Sequence, residues 1–438
     1  MRRRAEPSRG GRTGFTLRQT LPRLPRRRAP NTSWIPCASE RVRRGGDISA
    51  PGDPIALRSE CGKHSHERAV MYYRASILSV ALAASVHAAI IRVPGDQPTI
   101  QAGLDSASEG DTVSVAPGTY AGAGNKNLDF LGRNLVLESE QGQEATVIDC
   151  EGWGRGLSFH SGERAASMVS GFTVTGGKEH YSGGVHCEFS DPTFTDCTIA
   201  GNNAASGDGG GVSCIRSSAT FIHCDIRDNT AADHAGGVRC LESAPTFINC
   251  AITGNRATFG GGGVGSVESD LTITGCTIAS NTTTDSHGGG IAIFDVDPST
   301  IAITNCTIAG NRAIHGDGGA LWIFALATNP KFTNCIFWGN SPNEVSGAHH
   351  YLGDPTITYC DIEGGWDGVG NIEIDPLFIS LPGFANLLRP GSPCIDAGDP
   401  SIEDGISDRH PRWPGWVPNG VRSDMGAYGG PGNRGWLR

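Results

Sequence analysis

The sequence lacks the local signatures of several common activities. No Cys-x-x-Cys pair occurs, so a tetrahedral zinc site has none of its usual local spacing. The segment "GDGGG" around Asp208 and the similar "GDGGA" around Asp317 are not followed by the Gly-Lys-Ser/Thr of a phosphate-binding loop. Glycine is abundant, at 63 of 438 residues, but it follows no Gly-X-Y period. These absences exclude a P-loop nucleotide site and a collagen helix, and the glycine content indicates many tight turns between short strands.

Positive charge is scarce outside the first 70 residues. That leader holds 16 Arg and Lys against 6 Asp and Glu, a net of +10. Subtraction from the totals of 35 and 45 leaves 19 basic and 39 acidic residues in 71–438, a net of −20. We expect residues 71–438, with this negative net charge, to repel nucleic acid and anionic membranes and to tolerate hard cations such as calcium.

The N-terminal region has two parts. Residues 1–70 are rich in Pro and Arg and carry no structural signal, which indicates an overextended gene start or a disordered leader. An organelle transit peptide and a basic binding arm are the alternatives. Residues 71–89 have a short n-region with Arg74, an apolar stretch over 77–84 and the small-residue site Val86-His87-Ala88. This pattern predicts a secretory signal peptide, and no later apolar run of about 18 residues predicts a transmembrane segment.

An internal repeat dominates the rest of the chain. The opening units read "PTFTDCTIAGN", "ATFIHCDIRDN" and "PTFINCAITGN", and four more follow with the same pattern. The repeated cysteines are Cys197, Cys224, Cys250, Cys276, Cys306, Cys335 and Cys360. An asparagine follows each of the first six by five residues: Asn202, Asn229, Asn255, Asn281, Asn311 and Asn340. Units of about 26 residues with three short strands cannot bury a core alone, so they must stack.

The alternation between inward-facing and outward-facing residues shifts by one position inside each unit, which indicates a bend there. In "IAITNCTI", Ile301 and Ile303 alternate inward, but Ile308 lies five residues after Ile303. A one-residue bend directly before the cysteine restores the phase. The residues at this position are Asp196, His223, Asn249, Gly275, Asn305, Asn334 and Tyr359. All but Tyr359 tolerate left-handed backbone well, and after the bend the cysteine and the residue two positions later face inward.

These features predict an all-β protein, a right-handed parallel β-helix solenoid over residues 90–374. Each coil has a "GGVxC" strand, a corner, a "TFxN" strand, the bend, a "CxI" strand, an asparagine turn and a variable loop. Residues 100–107 have the spacing of a short amphipathic helix with Thr99 as N-cap, which would close the N-terminal end. Residues 375–438 are predicted to form a C-terminal cap module.

Three segments resemble known families. The segment "IRVPGDQPTIQAGLDSASEGDTVSVAPGTY" resembles the N-terminal part of pectin-lyase-like β-helix proteins. The C-x4-N coils resemble those of exported bacterial β-helix repeat proteins and, more loosely, polymorphic outer-membrane proteins. Residues 375–432 are similar to the C-terminal module of surface proteins of the choice-of-anchor Q type. The resemblance implies the fold and export. It implies little about activity, because the superfamily contains lyases, hydrolases, epimerases and non-catalytic surface proteins.

The cysteines are interpreted as core residues. Cys187, Cys214 and Cys240 form a second column beside the seven repeated cysteines. Neighbours in a column are about 4.8 Å apart with parallel side chains, which is slightly longer than the Cβ separation of a disulfide. A stack of small apolar thiols is therefore favoured, and disulfides across one coil, such as Cys240 to Cys250, are the alternative. The asparagine column is interpreted as a structural hydrogen-bonded stack.

Candidate chemistry lies four residues before the first strand of each coil. There, Asp208 and His234 fall on adjacent coils, as do His287 and Asp317, and Arg239 is expected to point outward nearby. Carboxylate, imidazole and guanidinium on one face suit acid–base work on a polysaccharide or a metal site. The alternative is that these are solvated loop residues. The paired-aspartate signature of polygalacturonase-like hydrolases and a clear lyase calcium cluster are both missing.

A possible calcium loop lies near the C-terminus. It contains Asp399, Glu403, Asp404 and Asp408, but it does not follow EF-hand spacing. No other cofactor is predicted.

Two functions are consistent with these observations. The first is an exported, non-catalytic β-helix protein, extracellular, at the cell surface or periplasmic, that contacts glycans in adhesion. The second is a polysaccharide lyase or hydrolase that uses the Asp208/His234 face. We expect a polysaccharide partner and no nucleic acid.

Overall fold

Successive coils of the chain add one short strand each to long parallel sheets. The computed structural model describes residues 88–295, 298–325, 328–347, 355–381, 384–389, 391–403 and 420–429. The leader 1–70 and most of the predicted signal peptide lie outside the described residues, as do Asp404 and Asp408. No helix in the described part of the chain is both long and apolar enough to cross a membrane.

Three long sheets, which we call A, B and C, form the walls of the solenoid. The eleven strands of sheet A are β1 (Ile90–Val93), β2 (Thr112–Val115), β5 (Val136–Ser139), β8 (Met168–Ser170), β12 (Thr193–Thr195), β16 (Thr220–Ile222), β20 (Thr246–Ile248), β24 (Leu271–Thr274), β28 (Ile301–Thr304), β32 (Lys331–Thr333) and β35 (Thr356–Thr358). The ten strands of sheet B are β3 (Gly118–Tyr120), β6 (Thr146–Asp149), β9 (Thr173–Thr175), β13 (Thr198–Ala200), β17 (Asp225–Arg227), β21 (Ala251–Thr253), β25 (Thr277–Ala279), β29 (Thr307–Ala309), β33 (Ile336–Trp338) and β36 (Asp361–Ile362). The nine strands of sheet C are β4 (Leu128–Asp129), β7 (Leu157–Phe159), β11 (Val185–Glu188), β15 (Val212–Ile215), β19 (Val238–Leu241), β23 (Val264–Val267), β27 (Ile291–Asp295), β31 (Leu321–Ala325) and β34 (Val345–Ser346).

The register confirms the predicted parallel β-helix. Val185 pairs with Val212, Val212 with Val238, and Val238 with Val264, each in parallel and one coil apart. Equivalent positions of the repeat therefore lie directly above one another, so one residue type builds one column. The aromatic column shows this in the core, where the rings of Phe194, Phe221 and Phe247 stack at 4.9 and 5.0 Å between centroids.

The predicted bend is present in all seven units. The residue before each column cysteine has φ between 50° and 65°, including Tyr359 at 52°. The bend returns the following residues to the core: Cys250 is 2% exposed and Ile252 is fully buried. Left-handed backbone suits Asn and Asp because their short polar side chains can hydrogen-bond locally. At Tyr359, the backbone N–H donates to Val369 O at 2.8 Å.

The cysteine and asparagine columns also lie as predicted. The twelve cysteines in the described part of the chain are all buried and unpaired. The N–H of Cys250 donates to Cys276 Sγ at 3.2 Å. In the asparagine ladder, the backbone N–H and the side-chain amide of every member before Asn340 donate to the side-chain oxygen one coil further on, as Asn229 does to Asn255 at 3.0 Å in both cases.

A fourth sheet, D, occupies part of what the sequence predicts as a variable loop. Its strands are β10 (Lys178–Glu179), β14 (Asn203–Ala204), β18 (Thr230–His234), β22 (Arg256–Phe259), β26 (Thr282–Thr283) and β30 (Arg312–Ala313). Most of them have only two residues, too few to show a period-two pattern. The last five of them each begin directly after an asparagine of the ladder, which holds the preceding turn in the same position from coil to coil.

Different segments close the two ends of the helix. Helix α1 (Ile100–Ser106) covers the N-terminal end, with Thr99 Oγ1 accepting from Ala102 N at 3.2 Å, as the sequence predicts. At the other end the chain turns back under the last coil. There Ile372 N donates to Cys360 O at 2.9 Å, and Trp366 packs against the core.

The described part of residues 375–429 packs on the outer side of sheet B. It contains one antiparallel hairpin, β37 (Phe378–Leu381) and β38 (Phe384–Leu388). Two bend asparagines hold it: Asn305 Nδ2 donates to Ser423 Oγ at 2.9 Å, and Asn334 Oδ1 accepts from Asp399 N at 2.6 Å. These two asparagines are fully buried beneath the segment.

Candidate functional site

The candidate site lies on the outer face of sheet C. In each strand of this sheet the first and third residues enter the core, so the second and fourth face outward. The outward row at the second position is His186, Ser213, Arg239, Gly265, Ala292 and Trp322, in register from coil to coil. The row at the fourth position is Glu188, Ile215, Leu241, Val267, Phe294 and Phe324. The face therefore changes from polar to aromatic along the helix axis.

A cleft of about 310 Å³ opens in the middle of this face. Gly265 and Ala292, the two smallest residues of their row, line it between Arg239 and Trp322. Each coil rises about 4.8 Å, so Arg239 and Trp322, three coils apart, lie roughly 14 Å from each other along the axis. The cleft exists because small residues occupy two successive coils between larger ones.

His234 and Arg239 line one side of the cleft, and Asp208 lies behind them in contact with both. The guanidinium Nε of Arg239 lies 2.8 Å from Asp208 Oδ2. Asp208 Oδ1 accepts from the backbone N–H of His234 at 2.8 Å and lies 3.3 Å from His234 Nδ1. Asp208 is nearly buried, whereas the His234 side chain is 54% exposed. The predicted placement of these three residues on adjacent coils thus brings them into direct contact.

A β-bulge adds Asp233 to this group. Ala231 pairs with Ala257 and His234 pairs with Phe259, so β18 carries one residue more than β22 between these points. In a regular strand, neighbouring side chains point to opposite faces. Here the bulge turns Asp233 and His234 to the same side, and Asp233 Oδ1 lies 2.8 Å from His234 Nδ1.

The contacts shift the pKa values of two of these groups. Burial opposes ionisation of Asp208, but the hydrogen bonds from His234 and the charge of Arg239 outweigh it and hold the pKa of Asp208 below its usual value. The hydrogen bond with Asp208 raises the pKa of His234, and burial only partly offsets this rise. Asp208 is therefore an anion, and His234 is protonated over a wider pH range than an isolated imidazole.

Aromatic residues form the other side of the cleft. The ring of His287 stacks on Trp322 at 5.1 Å with an interplanar angle of 12°. Trp322 lies beside Phe324 at 6.2 Å, and Phe324 stacks on Phe294 at 4.9 Å. Phe294 is 42% exposed. Four rings from three coils thus form a continuous, partly exposed apolar surface.

Asp317 takes part in a more open pair. Its backbone N–H donates to His287 Nδ1 at 2.9 Å, and its carboxylate lies 4.0 Å from that nitrogen. His287 thereby belongs to the aromatic side, and Asp317 lies at its exposed rim. The structure thus separates the five candidate residues into two groups on the same face.

The C-terminal acidic residues form no comparable group in the described part of the chain. Asp399 Oδ1 accepts from the N–H and hydroxyl of Ser401, both at 2.8 Å, which makes a local turn. Glu403 is exposed, and its backbone forms an isolated antiparallel β-bridge with Arg422. Since Asp404 and Asp408 lie outside the described residues, the calcium loop stays a prediction.

Sequence reasoning missed the aromatic side. Trp322, Phe294 and Phe324 were visible as the second and fourth residues of the strands equivalent to "GGVxC". Reading those positions down the register, coil by coil, would have found them. The apolar patch was hidden because rings that stack between adjacent coils, such as Phe294 and Phe324, lie 30 residues apart in the sequence.

A family-model match agrees with this architecture. A family model described as "Right handed beta helix region" matches residues 183–362. The crystal structure of pectate lyase Pel9A is similar at a TM-score of 0.47 and 14% identity, over 79% of this chain and 98% of that one. No curated protein matches the chain. The chain is an all-β, right-handed parallel β-helix with about 26 residues per coil.

Proposed function

We propose that the protein is an exported, non-catalytic β-helix protein, at the cell surface or beyond it, that contacts a polysaccharide through the sheet C cleft. The observation that carries this proposal is the partly exposed aromatic surface of Trp322, Phe294 and Phe324 beside a cleft with charged donors. The signal-peptide pattern of residues 71–89 supports export.

The chemistry of the cleft suits a sugar chain. Aromatic rings offer flat apolar surfaces on which the C–H faces of sugars can stack, while Arg239 and His234 can hydrogen-bond to hydroxyl groups. A row of equivalent positions repeating every 4.8 Å or so also matches an extended polymer better than a compact ligand.

The same residues argue against catalysis. Glycoside hydrolysis usually requires two carboxyl groups facing the scissile bond, but no carboxylate is among the described residues that line the cleft. The carboxylate of Asp208 is nearly buried and held by Arg239. The hydrogen bond with Asp208 raises the pKa of His234, so at any given pH a larger fraction of this imidazole is protonated and unable to accept a proton.

A polysaccharide lyase or hydrolase is the second candidate. It is favoured by the half-exposed position of His234 at the cleft, next to the Asp233 carboxylate at 2.8 Å. A protonated imidazole in that position can donate a proton to a leaving oxygen.

Binding to a glycan array, together with a depolymerisation screen, tests the proposal. We expect binding to at least one polysaccharide class without turnover, with affinity reduced about fivefold or more in Trp322→Ala, since stacking on one ring contributes of the order of 1 kcal/mol or more. Trp153→Ala is the matched control, because Trp153 is an exposed tryptophan outside the cleft. Absence of binding, or equal loss in both variants, contradicts the proposal. Cleavage of a polyuronate that is lost in Asp208→Asn supports the second candidate instead.

A further inference from the structure

The groups that meet at the bulge of β18 have the composition of a metal site. One ligand atom each from Asp208, Asp233 and His234 lies within 4.8 Å of the others, and no other such group of three occurs in the described part of the chain. The three residues come from two adjacent coils, and the bulge makes two consecutive residues converge. We propose that Asp208, Asp233 and His234 bind one divalent ion of the zinc class.

The separations between the ligand atoms are close to those of a tetrahedral site. Bonds of about 2.0–2.2 Å to nitrogen and oxygen place tetrahedral ligands roughly 3.3–3.5 Å apart. Nδ1 of His234 lies 3.3 Å from Asp208 Oδ1 and 2.8 Å from Asp233 Oδ1. A small movement of the exposed Asp233 side chain would lengthen the 2.8 Å separation from His234 Nδ1 to the tetrahedral value. Three protein ligands leave the fourth position for water.

Neighbouring groups orient the ligands. Arg239 holds Asp208 Oδ2, which leaves Oδ1 directed at the imidazole. The backbone N–H of Asp233 donates to Gly207 O at 3.1 Å, which fixes the bulge against the preceding coil. Partners that hold a ligating carboxylate in this way strengthen metal sites by fixing the ligand orientation.

The donor set selects the kind of ion. An imidazole nitrogen with two carboxylate oxygens suits zinc and its neighbours in the first transition series. Calcium requires six to eight oxygen ligands, and magnesium prefers an all-oxygen octahedron, so both are expected to bind much more weakly here. With neutral His234, the two carboxylates and Arg239 sum to −1, so the ion also compensates charge.

Calorimetric titration of the full chain with zinc chloride, after removal of bound metal with EDTA, tests the site. We expect one saturable equivalent whose affinity falls at least tenfold in His234→Gln and in Asp233→Asn. His315→Gln is the matched control, since His315 is also exposed and lies 3.1 Å from a single carboxylate, that of Asp285. We expect no change in that variant, and no competition from excess calcium.

Two further readouts separate this site from others on the chain. Zinc should raise the Tm of the wild type more than that of His234→Gln, because binding to the folded state alone stabilises it. Cobalt(II) absorption should show nitrogen and oxygen ligation without a thiolate charge-transfer band. Absence of saturable binding, equal affinity in wild type and His234→Gln, or a thiolate band overturns the proposal. The glycan-binding test is independent, since Trp322 lies outside the ligand set.

Discussion

Asn340 donates its backbone N–H and its side-chain amide to the two carboxylate oxygens of Glu344, at 3.0 and 2.5 Å. The five preceding asparagines of the ladder donate in the same way to the asparagine of the next coil. The coil after Asn340 has Gly365 at the equivalent position, so Glu344 takes the place of the missing acceptor. The donor end of a chain of aligned hydrogen bonds is thus closed by a carboxylate. Glu344 is 7% exposed, and burial raises its pKa to about 7.

We predict that Glu344 makes stability depend on pH. Because its folded pKa of about 7 lies above the ordinary value of 4.5, its contribution is fully present below pH 4.5 and is lost as the pH rises through 7. The expected loss is of the order of 3 kcal/mol between pH 4.5 and pH 8. Glu344→Gln should flatten this dependence in urea unfolding, with a residual slope from Asp361, whose pKa burial raises to about 6. The prediction is contradicted if the free energy of unfolding depends on pH as in the wild type, or if the exposed-site control Glu144→Gln flattens this dependence equally.

Loss of one asparagine from the ladder should be costly. Asn255 is fully buried, accepts two hydrogen bonds from Asn229 and donates to Asn281 and Ile226 O. Asn255→Ala leaves several buried groups without partners, so we expect a loss of about 2–4 kcal/mol in the free energy of unfolding. Asn203→Ala, beside the ladder but not part of it, should cost less than about 1 kcal/mol. Similar losses in the two variants would refute the structural role of the ladder.

The core cysteines should be reduced and inert in the folded protein. Burial raises the pKa of the Cys250 thiol well above its ordinary value, so little reactive thiolate forms. We expect iodoacetamide to leave all twelve described cysteines unmodified under native conditions, and to modify all twelve after unfolding without a reductant. Peptide mapping by mass spectrometry makes the measurement. Far fewer than twelve modified sites after unfolding would indicate disulfides across a coil.

The segment on sheet B should depend on the bend asparagines beneath it. Asn305→Gly keeps a residue suited to positive φ but removes the hydrogen bonds to Ser423 Oγ and Asp424 O. We expect the attachment to weaken by about 1–3 kcal/mol and limited proteolysis within residues 375–429 to accelerate. Asn249→Gly makes the same change at the bend two coils before Asn305. In that variant, cleavage within residues 375–429 should stay at the wild-type rate. Equal acceleration of proteolysis in both variants would show that the change at the bend, and not the loss of hydrogen bonds to this segment, is the cause.

The N-terminal leader is expected to be absent from the exported protein. Mass spectrometry of the native protein should find a first residue directly after the small-residue site Val86-His87-Ala88, at Ala89. Because residues 1–70 are interpreted as an overextended gene start, none of their peptides should appear. Recovery of any such peptide from the native protein contradicts this interpretation.

Much of the fold follows from local sequence patterns. The coil length, the bend before each column cysteine and the inward direction of Cys250 and Ile252 could all be predicted, because parallel stacking places equivalent residues above one another. Any residue type that recurs at one position must therefore suit one environment. The contact between Asp208 and His234 was predictable for the same reason, since both lie in one column.

The sequence by itself determined the repeat, the three main sheets and the identity of the core columns, since these depend on side-chain types that recur in every coil. Only the tertiary structure decided the features that occur once. The bulge that turns Asp233 towards His234, the aromatic side of the cleft at Trp322 and the packing of Ser423 on Asn305 each require contacts between particular coils. The periodic pattern does not encode such contacts, because their energies come from side chains that break the repeat.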